Sequence, residues 1–281
     1  MTSIAKQPLA HPLPASAARR RGRWALLRRF GPFVITLALL GLWELMVWAL
    51  GIKSYVLPAP SRIAEELVTR WPLLWQHTGI TFYETVLGFF LAAVIGIGLA
   101  LVIVIWPPLE RGIMPLLIFS QTIPKIAIAP LFIIWFGFGT LPKVLVAFLI
   151  CFFPIVVDSV VGLRSVPPEM LHLVRSMGAS AWQAFVKIRV PAALPSILAG
   201  LKVAVTLAVV GAVVGEWVGA DRGLGFILLQ ASSSLQTPLS FAAIAILTII
   251  GVVLYYLLEL LEHLLIPWHV SKRQPGAGPT L

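Results

Sequence analysis

The chain has 281 residues, 59% of them hydrophobic and only 11% charged, with a mean hydropathy of +0.97. A soluble domain carries about 25% charged residues and cannot hide so much apolar surface in one core, so a cytosolic enzyme, a disordered chain and a secreted disulfide scaffold are excluded and an integral membrane protein is left. The formal charge of +10 therefore bears on membrane orientation rather than on nucleic acid, which this composition does not point to.

Residues 1–29 are rich in Pro and Ala and then basic, with Arg19, Arg20, Arg21, Arg23, Arg28 and Arg29. They read as a flexible cytoplasmic segment. Apolar stretches follow at about 33–50, 80–106, 113–136, 143–163, 196–215 and 241–261. Each can cross roughly 30 Å of hydrocarbon at about 1.5 Å per helical residue. The expected fold is therefore all-α, with six transmembrane helices. The domain holding them covers 30–268, and 269–281 form a cytoplasmic tail. The first stretch has a basic flank and a small-residue site at Ala49-Leu50-Gly51, as a signal peptide does. Its apolar run is too long for one, so it is read as an uncleaved span. Pro115, Pro124 and Pro130 interrupt the third stretch.

With the N-terminus inside, the inner segments hold Lys6, the six arginines above, Arg111, Arg164, Arg175, Lys187, Arg189, Lys272 and Arg273. The outer loops hold only Lys53, Arg62, Arg70 and Arg222. That asymmetry predicts both termini inside. Of the outer segments, 56–76 carries Ser61 ahead of Glu65 and Glu66, which predicts an N-cap with acids in the first turns. Apolar Ile63, Leu67, Leu74 and Trp75 suggest that this piece lies on the membrane surface.

The longest inner loop, about 164–195, is polar and helix-prone. Pro167-Pro168-Glu169 opens a helix, Met170, Leu173, Val174 and Met177 give it an apolar face, and Gly178 ends it. A second short helix is expected over 179–188, with Pro191 and Pro195 breaking the chain before the fifth span. Such a loop lies on lipid headgroups or docks into a cytoplasmic partner; the pattern alone leaves both open.

Within the spans, Lys125 stands near mid-depth between Pro124 and Pro130, with Gln121 one turn earlier. An uncompensated lysine there costs about 2.5–3.5 kcal/mol. Either it lines a solute path through a broken helix, or it pairs with Glu84 or Asp158, or the helix is shifted toward an interface. Lys202 can snorkel to the inner face, and Glu216 closes the fifth span outside. Small residues recur at every fourth position, Gly88, Ala92, Gly96 and Ala100 in the second span and Gly211, Gly215 and Gly219 in the fifth. These stripes serve close helix packing, and the fifth-span stripe is also a candidate border of a pore. Gln121, Lys125, Gly211, Gly215 and Glu216 are thus the candidate translocation path. Cys151 reads as a small core residue. Tryptophans such as Trp43, Trp71, Trp106, Trp217 and Trp268 fall near span ends, as an aromatic belt does.

Gly178, nine residues and then Ile188-Arg189-Val190-Pro191 resemble the second half of the loop signature of binding-protein-dependent ABC importer permeases. His172-Leu173-Val174 stand where that signature begins Glu-Ala-Ala, so the front half departs from it. Leu57-Pro58-Ala59-Pro60-Ser61, residues 123–131 (IPKIAIAPL), Trp135-Phe136-Gly137, Glu216-Trp217-Val218-Gly219 and Gly223-Leu224-Gly225 resemble the nitrate/sulfonate/taurine branch, with its pyrimidine-precursor and riboflavin relatives. The resemblance spans roughly 55–268.

It implies a multi-pass permease of the bacterial inner membrane, paired with a second copy of itself. Two cytoplasmic ATPase subunits would dock on the 164–195 loops, and a periplasmic or lipid-anchored binding protein would deliver the solute. The docking residues it points to are Glu169, His172, Leu173, Val174, Arg175, Met177, Gly178, Ile188 and Pro191. This chain has no GxxxxGK[ST], HExxH or GxSxG, so it is expected to be no enzyme and to hold no cofactor or metal, with ATP and Mg on the partner. The alternative function is an ion-coupled secondary transporter, which usually shows inverted repeats; none is evident here.

Overall fold

The computed structural model describes residues 15–266, with the side chains of residues 15–30, 32 and 107 outside that description. Every regular element among the described residues is helical. The chain divides at Arg62 into two units.

In the first unit, α1 runs from Ala15 to Ala49, so the backbone of the basic segment is helical from Ala15. Its apolar part is Phe33–Ala49. α2 (Pro60–Thr69) starts one residue before the expected cap. Ser61 does not cap it. Its N–H and hydroxyl donate to the Glu44 carboxylate at 3.0 and 2.7 Å.

Among its described residues, the second unit holds four helices long and apolar enough to cross a membrane: α3 (Trp71–Ile105), α6 (Thr140–Arg164), the continuous helix 181–219, and α11 (Thr237–Leu265). A bent pair passes the same test only when its two halves are taken together, as a broken span or a re-entrant loop. α4 (Pro107–Thr122) stops at Ile123-Pro124, a 3-10 turn covers Lys125–Ile128, and α5 (Ala129–Phe136) leaves at 85°. The interruption expected from the prolines is therefore real, and it falls at Lys125. The residue before a proline is pushed out of the helical region, and Ile123 is extended (ψ 128).

α6 is the central element, packed along α9 on one side and α3 on the other. The small-residue stripes make this possible. A Cβ on Gly88 of α3 would come within 2.6 Å of Ala147 Cβ, and one on Gly211 of α9 within 2.6 Å of Ala147 Cα. Ala147 is thus held between two glycines. Buried Ala92, Ile103, Cys151, Ile155, Val160, Ala204 and Ala208 fill the resulting core. Cys151 is a core residue, as expected, and its thiol donates to the Ala204 carbonyl at 3.2 Å. A second core joins Leu74 of α3, Val205 and Val209 of α9, and Leu224, Ile246 and Leu247 of α10 (Leu224–Ser233) and α11. Lys202 does not merely snorkel; its ammonium meets Glu262 of α11 at 2.5 Å.

Candidate functional site

The loop between α6 and α9 is built by local rules. α7 (Pro168–Ser176) starts with proline in its first turn and ends at Gly178, whose φ is +87°. The Gly178 N–H donates to the Arg175 carbonyl and the Ala179 N–H to the Val174 carbonyl. This 5→2 and 6→1 pair is the Schellman closure, and it requires the left-handed residue that glycine supplies at least cost. Ser180 and Gln183 then form a reciprocal capping box that opens α8 (Ala181–Ala184).

The expected break at Pro191 and Pro195 is absent. A π turn, Phe185–Arg189, joins α8 to α9 (Val190–Gly219), and the helix runs unbroken from Ala181 to Gly219. The Val190 N–H bonds five residues back to Phe185. That wider turn relieves the crowding between a proline ring and the preceding turn, and Pro191 sits where α9 restarts, a position that tolerates a missing N–H.

Along this loop, Met170, Leu173, Met177 and Trp182 are exposed, Met177 by 78% and Trp182 by 66%. Glu169, His172 and Arg175 are exposed as well, while Val174, Ile188 and Pro191 are half-buried. Val174, Met177, Gly178, Gln183, Lys187 and Ile188 border one groove. The structure therefore brings Gly178 and Ile188, the first two fixed positions of the Gly-x9-Ile-x-x-Pro spacing, to one groove.

The candidate path residues separate. Lys125 is half-buried and Gln121 exposed. The Lys125 ammonium donates to the Gln121 carbonyl at 3.2 Å and lies 5.0 Å from the Phe153 ring centroid, a cation–π contact. Neither Glu84 nor Asp158 is its ion-pair partner. Glu84 is taken by Lys143 at 3.0 Å. Asp158 faces Gly200, where a Cβ would meet the Asp158 side chain. Gly211 and Gly215 press on the backbone of α6 at Ala147 and Lys143.

Glu216 belongs to a buried polar cluster with residues that nothing in the sequence joins to it. It is 1% exposed, Glu84 0% and Lys143 5%. The Glu216 carboxylate accepts from the Thr81 hydroxyl at 2.6 Å and from the Gly225 N–H. The Leu224 N–H donates to Thr81 and the Gly223 N–H to His77 Nδ1, both at 2.8 Å. Three successive N–H groups at the start of α10 are thus received by α3 and α9, as the unsatisfied donors of a helix N-terminus require. The Glu216 carboxylate fills the space that a Cβ on Gly223 or Gly225 would need. This explains why Glu216-Trp217-Val218-Gly219 and Gly223-Leu224-Gly225 occur together.

Residues 92–268, from within α3 to beyond α11 and including the loop between α6 and α9, match the family of binding-protein-dependent transport system inner membrane components. The chain belongs to that family. It is a permease subunit of an ABC transporter and not an enzyme, multi-pass in the inner membrane. It is similar to the formylaminopyrimidine transport permease protein ThiX of Halalkalibacterium halodurans, with 39% identity over 86% of this chain and 96% of that one. It is 39% identical to the riboflavin transport permease RibX of Chloroflexus aurantiacus over 94% and 98% of the two chains. It is 33% identical to the taurine transport permease TauC of Escherichia coli over 89% and 94%. These place the permease in the sulfonate/taurine branch with pyrimidine and riboflavin relatives. Its fold matches a chain of the MetNI methionine ABC transporter, solved in inward-facing conformations, with a TM-score of 0.57 and 20% identity over 70% of this chain and 98% of that one.

Proposed function

We propose that this permease imports a small polar or anionic organic solute by alternating access, of the sulfonate, taurine or nitrate type or of the pyrimidine-precursor or riboflavin type. The names of its relatives support the taurine, sulfonate, pyrimidine-precursor and riboflavin classes. We take it to have six spans with both termini inside, α1 providing the sixth. A second copy would complete the path, two ATPase subunits carrying ATP and Mg would bind the loops, and a binding protein would deliver the solute outside.

The observation that carries this reading is the loop itself. Leu173 on α7 and Met177 at its C-cap are exposed beside the Gly178 closure, an apolar patch of the kind a partner protein covers. Glu169, Val174, Gly178 and Ile188 complete the docking face. The helix that begins in the loop at Ala181 continues to Gly219, so movement of a docked loop is delivered directly to α9 and, through it, to α6. Lys125 and Gln121, at the break in the bent pair, provide a cation and an amide for an anionic solute. Gly211, Gly215 and Glu216 would act behind them, by holding α6, α9 and α10 in register.

Reconstitution tests the assignment. Vesicles holding the permease and its ATPase, with the binding protein supplied on the outer side, should take up solute only with ATP, and Leu173→Glu/Met177→Glu should release the ATPase from the purified complex. Uptake driven by an ion gradient without ATP would instead establish a secondary transporter.

A further inference from the structure

The loop has two sides of different chemistry. Apart from the docking groove, with which it shares no lining residue, a groove of about 340 Å³ gathers Arg164, His172, Arg175 and Arg189. Arg164 pairs with Glu110. Among the described residues no carboxylate pairs with Arg175 or Arg189. The charges acting on Arg189 are the guanidiniums of Arg164 and Arg175, which repel it. Like charges gathered around one groove leave a positive field that an anion offsets.

An adjoining groove of about 250 Å³ shares Arg175 and Arg189 but is otherwise apolar, lined by Val104, Ile105, Trp182 and Phe185 among others. Ile105 ends α3, Arg164 ends α6, and Arg189 immediately precedes α9. Both grooves therefore open where membrane-crossing helices end, the depth at which phospholipid headgroups lie. The π turn supplies Phe185 to the apolar groove and Arg189 to both, and such turns are frequent at functional sites.

We propose that this double groove is a binding site for an anionic phospholipid. Its phosphate is held by Arg175, Arg189 and His172, and the start of an acyl chain lies against Ile105, Trp182 and Phe185. This assigns Arg175 and His172 to the lipid rather than to the ATPase. A free phosphate ester would satisfy the arginines equally, but it would leave the apolar groove unused. Placement in the cytoplasmic leaflet rests on the orientation proposed above; the binding does not.

Lipid retention by the purified full-length permease, read by native mass spectrometry, tests this. Dioleoyl phosphatidylglycerol should be kept in preference to dioleoyl phosphatidylcholine. Arg175→Gln/Arg189→Gln should weaken that retention about twenty-fivefold, at about fivefold per charge removed. Lys187→Gln, on the other groove, should keep it. Trp182→Ala, with every charge intact, should lose several-fold and so supports the proposal even if the double variant is not recovered. Equal retention by wild type and the double variant overturns the site, as does equal loss in Lys187→Gln. Displacement of the lipid by inorganic phosphate would assign the arginines to a soluble phosphate compound instead. Unchanged lipid retention with loss of the ATPase from the complex would assign them to the partner protein.

Discussion

Lys143 and Lys125 are two lysines within the membrane-spanning part, and their surroundings assign them different work. Lys143 is buried against Glu84, beside Glu216 and Thr81. Removing one member of a buried pair leaves the other charge uncompensated, at a cost of about 3–5 kcal/mol. Lys143→Met should therefore be poorly inserted or degraded, and Glu84→Gln in the same chain should restore its level in a membrane immunoblot; no rescue would mean that the pair is not what holds the fold there. The Lys125 ammonium meets a backbone carbonyl and an aromatic ring and, among the described residues, no carboxylate, so Lys125→Met strands no acid there. Normal abundance with reduced uptake of an anionic solute is expected, and a collapse in abundance would show a structural role. The sequence marks Glu84, Lys125 and Glu216 as costly in apolar surroundings, but it does not pair them. In sequence Lys143 is a helix-edge cation, and His77 and Thr81 carry no mark, because their partners at 216 and 223–225 are neighbours only once α3, α9 and α10 have packed.

At the scale of elements, strong local signals are readable and compensated ones are not. Gly178 is legible as a helix stop because a glycine directly after an apolar-periodic segment readily takes the left-handed conformation that closes a helix. A β-branched residue at φ +87° is strained, so Gly178→Val should leave the spans inserted while the ATPase no longer co-purifies or its hydrolysis is uncoupled from uptake. Normal assembly and transport by this variant would remove the loop from the coupling route. Pro191 and Pro195 signal a break that does not occur: the π turn, a one-residue change of register, accommodates Pro191, and Pro195 lies inside the unbroken α9. Nothing local in the sequence announces such a turn. Ser61 has the neighbourhood of a cap, whereas its partner is Glu44 on another helix.

For the whole molecule, the proposed topology is checked by reporters. A periplasm-active fusion after Leu281 should be silent and one inserted at Lys53 active; an active C-terminal fusion would reverse the orientation. Membrane character, the four long apolar helices α3, α6, α9 and α11, the loop with its Gly-x9-Ile-x-x-Pro spacing and the family follow from composition, periodicity and motif order, since each depends on residues close together in the chain or on totals. The 85° bend at Lys125 is legible as a break but not as an angle, because prolines stop a helix without setting where the next one goes. Which glycines touch which helix, which acid neutralises Lys143, and the gathering of three arginines on one side of the loop were decided by tertiary packing alone. Each of these depends on distances between remote residues, which the order of amino acids does not carry until α6 lies between α3 and α9.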